Sequence, residues 1–421
     1  MTVSEASQRT VSSTQPSASP LDAYSLEQLR KRTSLKWTRY EPHILPMWVA
    51  EMDCAPVPQV ANVVQQMVNL GDVGYPGKTQ LQRASAHTEA DYTQLPSYEQ
   101  AYVTFAKERW NLTVDESNIR IMPDVMQGIA HAIQALGIRA LAITTPVYPY
   151  FRTYARNAGC ALVEANMTNT GALDFEELER AFQQADGFLL CNPHNPSGVV
   201  PTTDELTRVF QLAHHYNVHV IVDEIHAPLT SPQAARAAGT DPFVPALSVP
   251  GSERALVLFS AAKAFNLAGL KAALMIGGPD AHPIMDVIPA EVSQSAGTVA
   301  LAAHTAALTY GGQWLDTVRH TIDLRRNHLH TTLQHLLPEA TVTPAQATYF
   351  AWIHMADVQG PQGIPLGSNP AEFLLHNAHI AVNPGHTFGA GGEGYVRMNL
   401  ATSAEVLDTA LQRIHDALTK K

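Results

Sequence analysis

One lysine, Lys263, has surroundings that first suggest chemistry. It lies in the stretch FSAAKAFNLAGLKAA (259–273) among small and apolar residues, directly after the apolar run 255–259. No carboxylate lies nearby in the sequence to pair with it. Desolvation lowers the pKa of a lysine, and an amine that is neutral near pH 7 can form a Schiff base with an aldehyde. The alternative is an ordinary lysine whose apolar stem packs while its ammonium reaches water.

Polar residues follow four apolar runs that the sequence predicts to be strands. These residues are Thr145 with Tyr148, Asn192 with Asn195, Asp223 with His226, and Ser260 with Lys263. In a parallel sheet the carboxyl ends of the strands meet at one edge, where ligands bind. Each segment alone fits ordinary turn chemistry, because Asn-Pro and Ser-Gly form turns and Asp begins helices. The four segments together, with an isolated lysine among them, predict a shared site.

The residue types at this edge match the needs of an aldehyde cofactor held by a lysine. Asp124 begins the helical pattern DVMQGIAHAIQALG, and the amides at such a helix start can bind a phosphate. Asp223 can keep a ring nitrogen protonated, Asn195 can donate to a phenolic oxygen, and Tyr148 can lie against the ring. Arg397 can bind an amino-acid carboxylate through two hydrogen bonds. We therefore predict a pyridoxal-phosphate site.

Strands alternate with helices from residue 119 to 259, which predicts an α/β fold with a mostly parallel sheet flanked by helices. After Gly277 the pattern changes to a long amphipathic helix and short strands, which predicts a smaller α+β domain. The predicted segments are a disordered leader (1–20), an N-terminal arm with part of the small domain (21–70), a large cofactor-binding domain (71–298) and a C-terminal small domain (299–421).

Composition and charge exclude several classes of function. The 421 residues are too many for one ordinary core, and 45% hydrophobic with 15% charged residues is globular composition. The formal net charge of -11 disfavours nucleic acid and anionic membranes as partners, and no apolar run reaches the length of a membrane span. None of the three cysteines lies in a C-x-x-C pair, so we expect a reducing, cytoplasmic location.

Other motifs give weaker predictions. The string GAGGEG (389–394) matches the dinucleotide pattern G-x-G-x-x-G, but a predicted strand follows it where that pattern requires a helix. His214 with His215, and Asp223 with His226, lack the ligand spacing of a catalytic metal site, so no metal is expected. The segment with Trp37 and Trp48 could be a partner groove, although an arm over the active site and a dimer partner is favoured.

The motifs as a set resemble the fold-type I pyridoxal-phosphate enzymes of the aminotransferase class I/II superfamily. Within it they are most similar to the cysteine-S-conjugate β-lyase (cystathionine β-lyase) branch, the PatB/MalY-like proteins. The resemblance covers about residues 35–402 and rests on LPMWVAEMD, VGYPG, PVYPYF, LLCNPHNPSGVV, VDEIHAPL, FSAAKAFNLAGLKAA and YVRMNLAT. The combination of NPHNP, DEIH and K-x-FNLAGL is specific to that branch. Ordinary aminotransferases usually carry a tyrosine where this chain has His226, which is expected to contact the cofactor.

The resemblance implies α,β-elimination of cystathionine or related cysteine S-conjugates, with pyridoxal 5'-phosphate as cofactor. The products would be a thiol (homocysteine from cystathionine), pyruvate and ammonia. An amino-acid aminotransferase stays the alternative, because both reactions begin by removing the Cα proton. Some members of the branch are thought to act also as regulators that bind another protein, and this possibility stays open.

The resemblance also implies roles for individual residues. Lys263 would carry the cofactor and then move the Cα proton, and Tyr148 would stack on the ring beside it. Asp223 would pair with the pyridinium nitrogen and Asn195 with the 3' oxygen. Arg397 would hold the substrate carboxylate, with Asn195 as a further substrate contact.

The phosphate contacts implied by the resemblance are Ser260 and the amides of Val125 and Met126. Tyr75 would reach the phosphate and the substrate in the neighbouring subunit, which implies a homodimer. The phosphate loop reads Asp-Val-Met where relatives often have Gly-Val-Val. Whether Lys271 takes a second phosphate contact stays open.

Overall fold

The structure is a computed structural model that describes residues 19–77, 91–239 and 242–419. Its strands are β1 (Leu45–Pro46), β2 (Ile119–Met122), β3 (Ala140–Thr145), β4 (Ala161–Asn166), β5 (Gly187–Cys191), β6 (His219–Asp223), β7 (Leu256–Phe259), β8 (Ala273–Gly277), β9 (Thr341–Val342), β10 (Phe350–His354), β11 (Ile380–Ala381), β12 (Asn383–Pro384) and β13 (Tyr395–Asn399). Its α-helices are α1 (Leu26–Leu29), α2 (Leu35–Thr38), α3 (Pro58–Leu70), α4 (Tyr98–Trp110), α5 (Val125–Leu136), α6 (Tyr150–Asn157), α7 (Phe175–Phe182), α8 (Thr203–Tyr216), α9 (Pro232–Ala238), α10 (His282–Met285), α11 (Thr298–Tyr310), α12 (Gly312–Leu336), α13 (Pro370–Asn377) and α14 (Ala404–Thr419). The predicted leader falls almost wholly outside the described residues.

A central sheet of seven strands organises the larger part of the described chain. Its strand order is β2-β8-β7-β6-β5-β3-β4, and the pairs from β7 through β4 are parallel. The prediction of an α/β fold with a mostly parallel sheet is confirmed. β8 runs antiparallel to both β2 and β7, and the sequence analysis assigned no strand there. Its apolar run directly continues the small residues after Lys263, so no turn signal separates it from the preceding loop.

Helices cover both faces of this sheet, which explains why the inner strands β5 and β7 are apolar and buried along their whole length. Along β7, Val257 and Phe259 pack in one hydrophobic cluster, while Leu256 and Leu258 pack in another on the opposite face. A strand buried on both faces shows a continuous apolar run instead of alternation. The residues that follow such strands are therefore the first positions where polar groups can gather.

The helix that follows β2 shows how local sequence positions the site. Asp124 caps α5, and its carboxylate accepts a hydrogen bond from Gln127 N at 2.8 Å, as predicted. Gly137 ends the helix with φ 65°, a left-handed conformation that glycine adopts without steric cost. The cap therefore fixes where the free amides of the first turn lie.

A second, antiparallel sheet of order β12-β13-β10-β9 forms a smaller core. Leu329 and Leu333 of α12 pack there with Val396 and Met398 of β13. Val318, in the first half of α12, packs instead with the central sheet, as do buried residues of α11. We propose that the small domain begins inside α12, and not at residue 299, because the burial pattern changes partners there. Within the described ranges, no helix is long and apolar enough to cross a membrane.

Candidate active site

A cavity of about 220 Å³ lies at the carboxyl ends of the parallel strands. Its walls are formed by Ala50, Asp124, Val125, Met126, Tyr148, Cys191, Asn195, Asp223, Ile225, His226, Ser260, Ala262, Lys263, Ala268, Lys271 and Ala272. Eight of the ten residues predicted for the site are among them. The other two are Arg397, which lies one hydrogen bond away, and Tyr75, which the single chain does not bring to the cavity.

Lys263 lies on the loop between β7 and β8, residues 260–272, which we call the lysine loop. Its side chain is half-buried, and Nζ donates to Ala50 O at 3.3 Å. No carboxylate in the described part of the chain comes within ion-pair distance of this ammonium. Burial, with the Arg397 cation as the second cause, lowers the pKa of Lys263 to about 8. A substantial fraction of this amine is therefore neutral and nucleophilic near physiological pH.

Asp223 ends β6 at the floor of the cavity. It is buried, and its Oδ1 accepts a hydrogen bond from Ile225 N at 3.0 Å. Burial raises the pKa of Asp223 to about 7, although the Ile225 amide and the nearby Lys263 charge act to lower it. A cationic ring nitrogen placed here would supply the missing partner, so this carboxyl fits a protonated pyridine.

The start of α5 forms a cradle for an anion. The amides of Val125 and Met126 occupy the first helical positions, where a helix offers no internal acceptor. The Asp124 carboxylate beside them pairs with Lys271 Nζ at 3.0 Å. Lys271 thus offsets a negative charge that would otherwise repel a phosphate, which gives a physical account of the unusual Asp-Val-Met sequence.

Ser260 lines the same cavity, but its hydroxyl is already engaged. Ser260 Oγ donates to Ala272 O at 2.6 Å and accepts from Ala262 N at 3.2 Å. The serine therefore closes the two ends of the lysine loop. Its predicted phosphate contact would require the hydroxyl proton to change partners.

Arg397 of β13 is buried against neutral oxygen atoms. Its guanidinium donates to Asn195 Oδ1 at 2.9 Å, Asn383 Oδ1 at 2.8 Å and Trp48 O at 3.1 Å. Its central carbon lies 3.9 Å from the centroid of the Phe350 ring. Burial lowers the pKa of Arg397 to about 10, so the group stays charged at neutral pH. A buried cation whose hydrogen-bond partners are neutral suits a substrate carboxylate.

Asn195 connects this cation to the cavity. Its carbonyl oxygen faces Arg397, which leaves its amide group as the donor toward a ligand. Two buried nitrogen atoms, Nε of Arg397 and Nδ1 of His226, have no partner among the described residues. Orphaned polar atoms beside a cavity are groups that a bound cofactor and substrate would satisfy.

Tyr148 and His226 are both neutral at physiological pH. Burial raises the pKa of the Tyr148 phenol to about 12, and burial lowers the pKa of His226 to about 3. The His226 ring packs near Tyr349 and Phe350, with centroids 6.0 and 5.8 Å away. Each ring can therefore contact a cofactor through its face or a hydrogen bond without adding charge.

Tyr75 does not line the cavity within one chain. Its side chain is 95% exposed on the loop after α3. Leu70 and Val73 beside it are 72% and 60% exposed. The single chain therefore does not bring the predicted Tyr75 contact to the site.

A segment of the N-terminal arm, residues 48–53, lies over the cavity, and we call it the cover segment. Asn399 Nδ2 donates to the carbonyl oxygens of Val49 and Glu51, each at 2.7 Å. Asn266 accepts from Met52 N at 2.8 Å and donates to Met52 O at 3.0 Å. An arm over the site was expected from the sequence, but its asparagine anchors were not. Their partners lie more than 200 residues away in the chain, so no local pattern reveals them.

The chain matches one protein family and is similar in sequence to several known proteins. The family model for aminotransferase class I and II matches residues 51–414. A "Putative cystathionine beta-lyase" of Mycobacterium leprae (strain TN) is 37% identical, across 95% of this chain and 98% of that protein. Cystathionine beta-lyase PatB of Bacillus subtilis (strain 168) is 27% identical, across 89% and 92%.

A solved structure is similar over nearly the whole chain. It is the crystal structure of a "putative plp-dependent beta-cystathionase" from Corynebacterium diphtheriae, with a TM-score of 0.80 and 31% identity. The similarity covers 95% of this chain and 99% of that one. The mostly parallel sheet and the cavity at its edge therefore lie on a fold-type I architecture.

Proposed function

The chain belongs to the aminotransferase class I and II family, and on that premise we propose that it is a pyridoxal-phosphate-dependent carbon–sulfur β-lyase. Its proposed substrates are cystathionine and related cysteine S-conjugates. The observation that carries the proposal is one cavity wall that holds a half-buried, unpaired Lys263 beside a buried Asp223. Relatives and a similar structure named for cystathionine cleavage favour the lyase over the aminotransferase.

Arg397, Lys263 and Asp223 each have a separate proposed role in the reaction. Bound pyridoxal phosphate supplies an electron sink for negative charge that develops at the substrate Cα. Arg397 binds the carboxylate and so fixes which Cα bond faces Lys263. The neutral Lys263 amine can accept the Cα proton, and Asp223 keeps its charge opposite a cationic ring. The Cβ–S bond then breaks, and the departing sulfur takes a proton to give the thiol. The aminoacrylate that is left is hydrolysed by water to pyruvate and ammonia.

The phosphate end is proposed to bind at the α5 cradle. Val125 and Met126 would donate backbone hydrogen bonds, and Ser260 would add a hydroxyl. Asn195 would donate to the ring oxygen, while Tyr148 and His226 would pack against the ring. Each of these residues lines the cavity, which supports the assignment.

We further propose a homodimer in which Tyr75 contacts the cofactor phosphate and substrate of the second subunit. The exposed apolar side chains beside it support this, because they would lose contact with water in such an interface. Light scattering measures the mass directly. Mixing Lys263→Ala and Tyr75→Phe subunits should restore one intact site per hybrid dimer. A monomeric mass would contradict the dimer.

The three cysteines, all within the described ranges, are free and buried. This supports the expectation of a reducing compartment, and we propose the cytoplasm.

The direct test is to supply purified holoenzyme with L-cystathionine and to measure pyruvate and free thiol. Equal amounts of both products are expected, and the Lys263→Ala variant serves as the negative control. A second assay offers the same amino acid with a 2-oxo acid and measures amine transfer. Amine transfer without pyruvate would make the enzyme an aminotransferase. A panel of cysteine S-conjugates then ranks the leaving groups.

A further inference from the structure

The lysine loop is held from outside the cavity by a chain of buried hydrogen bonds. The hydroxyl oxygen of Tyr98 lies 3.3 Å from Ala261 N and 3.2 Å from His304 Nδ1. On the other side of the imidazole, His304 Nε2 lies 2.7 Å from Leu270 O. Ala261 and Leu270 lie near opposite ends of the lysine loop, so one chain of contacts connects both.

The two histidine contacts assign the protons along this chain, and the Tyr98 hydroxyl also has Ser260 of the lysine loop as a neighbour. A carbonyl oxygen can only accept, so His304 Nε2 must carry a proton toward Leu270 O. Burial lowers the pKa of His304 to about 4, so the neutral ring carries no second proton. His304 Nδ1 is therefore an acceptor, and the Tyr98 hydroxyl donates to it. The Tyr98 oxygen is then left to accept from Ala261 N.

The two side chains come from helices that do not line the cavity. Tyr98 begins α4, and His304 lies in α11, and both are almost completely buried. Their rings meet edge to face with centroids 5.4 Å apart. Neither residue is among those that form the cavity wall.

The position of the Lys263 amine depends on this loop more than on its own contacts. Among the described residues, Nζ makes one hydrogen bond, to Ala50 O at the long distance of 3.3 Å. Its location therefore follows the backbone that carries it, between Ala261 and Leu270. A displacement of about 1 Å at a reacting group can lower a rate by about 100-fold.

We propose that Tyr98 and His304 are positioning residues that hold the lysine loop so that Lys263 faces the substrate Cα. This inference rests on the proposed function, in which Lys263 is the reactive amine. Without the chain of hydrogen bonds, the loop gains freedom, while the cavity-wall residues outside the loop, such as Asp223 and Asn195, stay in place. The amine then spends less time in position and more time in contact with water.

The test uses Tyr98→Phe, which keeps the ring and removes only the hydroxyl. We expect kcat to fall about tenfold while KM changes by less than about twofold, because substrate contacts are intact. In enzyme stripped of its cofactor, the rate of cofactor uptake increases with pH. In the Tyr98→Phe variant this increase should occur at higher pH than in the wild type. The reason is that water reaching Nζ relieves the desolvation that lowers the pKa of Lys263.

Tyr102→Phe is the matched control on the same helix. Tyr102 is fully buried, and its hydroxyl has no partner in the described ranges. The same chemical change should leave kcat and the pH dependence of cofactor uptake at wild-type values. Equal behaviour of the Tyr98→Phe and Tyr102→Phe variants would overturn the proposal.

Substitutions of His304 provide a second, independent test of the proposal. His304→Leu removes both hydrogen bonds, whereas His304→Gln keeps an amide that can donate toward Leu270 O. We expect the glutamine variant to recover part of kcat, and the Tyr98→Phe/His304→Leu double variant to be no worse than the more severe single variant. Additive losses would contradict a single chain. Failure of the proposed function is separate, because it would show as a Lys263→Ala variant that keeps the visible absorbance of bound cofactor.

Discussion

Two lysines, Lys36 and Lys263, both reach the backbone of the cover segment. Lys36 Nζ lies 3.3 Å from Glu51 O, and Lys263 Nζ lies 3.3 Å from Ala50 O. Lys36 also pairs with Asp53 at 2.6 Å, and both side chains are completely buried. Lys263 has no such carboxylate, and burial lowers its pKa to about 8.

The difference shows what makes a buried lysine available for chemistry. Asp53 also accepts hydrogen bonds from Trp37 Nε1 at 3.0 Å and Thr402 Oγ1 at 2.8 Å, so the Lys36 pair is part of a satisfied network. A charge in such a network stabilises the fold, because its hydrogen-bonding groups already have partners. Lys263 is left without a carboxylate partner, so its neutral form is accessible and can react.

The largest expected effect separates the two lysines by function. Lys263→Ala should lower kcat by more than about 1000-fold and abolish the visible absorbance of bound cofactor, because the nucleophile and proton carrier are lost together. Lys36→Met should keep that absorbance wherever the protein is folded. Absorbance spectra of the two purified variants make the comparison. A Lys36→Met enzyme without the band, beside a Lys263→Ala enzyme with it, would reverse the assignment.

The next effect separates them by stability. Lys36→Met should lower the free energy of unfolding by about 3–5 kcal/mol, because Asp53 is left as a buried charge without its cation. Urea titration of the holoenzyme followed by circular dichroism measures this loss. Lys31 forms an exposed pair with Glu27 at 3.6 Å and provides the control. Lys31→Met should change stability by less than about 0.5 kcal/mol. Similar losses for both variants would mean that burial of the Lys36 pair contributes nothing.

The smallest expected effect is a change of pH dependence at Lys263. Only the neutral amine attacks an aldehyde, so cofactor uptake by stripped enzyme should increase as pH rises through about 8. The Arg397 cation disfavours a second positive charge, so Arg397→Met should raise the pKa of Lys263 and move the increase to higher pH. Asp223 favours the ammonium, so Asp223→Asn should move the increase to lower pH.

The test is whether the Arg397→Met and Asp223→Asn variants shift the pH dependence in opposite directions. Arg180→Gln, on the surface of α7, is the control for loss of a cation elsewhere in the protein. Stopped-flow absorbance at a series of pH values measures the uptake rate. Movement in the same direction for the Arg397 and Asp223 variants would show that charge near Lys263 does not set its pKa.

Much of the fold was predictable because its signals are local. The alternation of strands and helices between residues 119 and 259, and the cap of α5 at Asp124, were expected from periodicity and capping residues. β8 was missed because an antiparallel strand buried on both faces gives an apolar run with no distinct boundary. The division of α12 between two cores was also missed, since the apolar face of a helix does not indicate which element it packs against.

The candidate site was predictable to the extent that strand ends gather at one sheet edge. Asp223, Asn195 and Lys263 were expected together for that reason, and the structure brings them to one cavity. Arg397 was identified by residue type alone, and its neutral partners Asn195 and Asn383 became visible only in three dimensions. Sequence order carries no information about such partners when they come from separate elements.

The sequence by itself determined the α/β architecture and the type of cofactor, and it predicted the lysine that would hold it. These follow from local patterns, namely apolar strands, capped helices and the polar residues at strand ends. The tertiary structure alone decided which buried lysine is paired, because Lys36 meets Asp53 only when α2 packs under the cover segment. It also decided that Tyr98 and His304, 206 residues apart, reach the lysine loop. Hydrogen bonds and pKa values depend on distances between atoms, and those distances exist only in the folded chain.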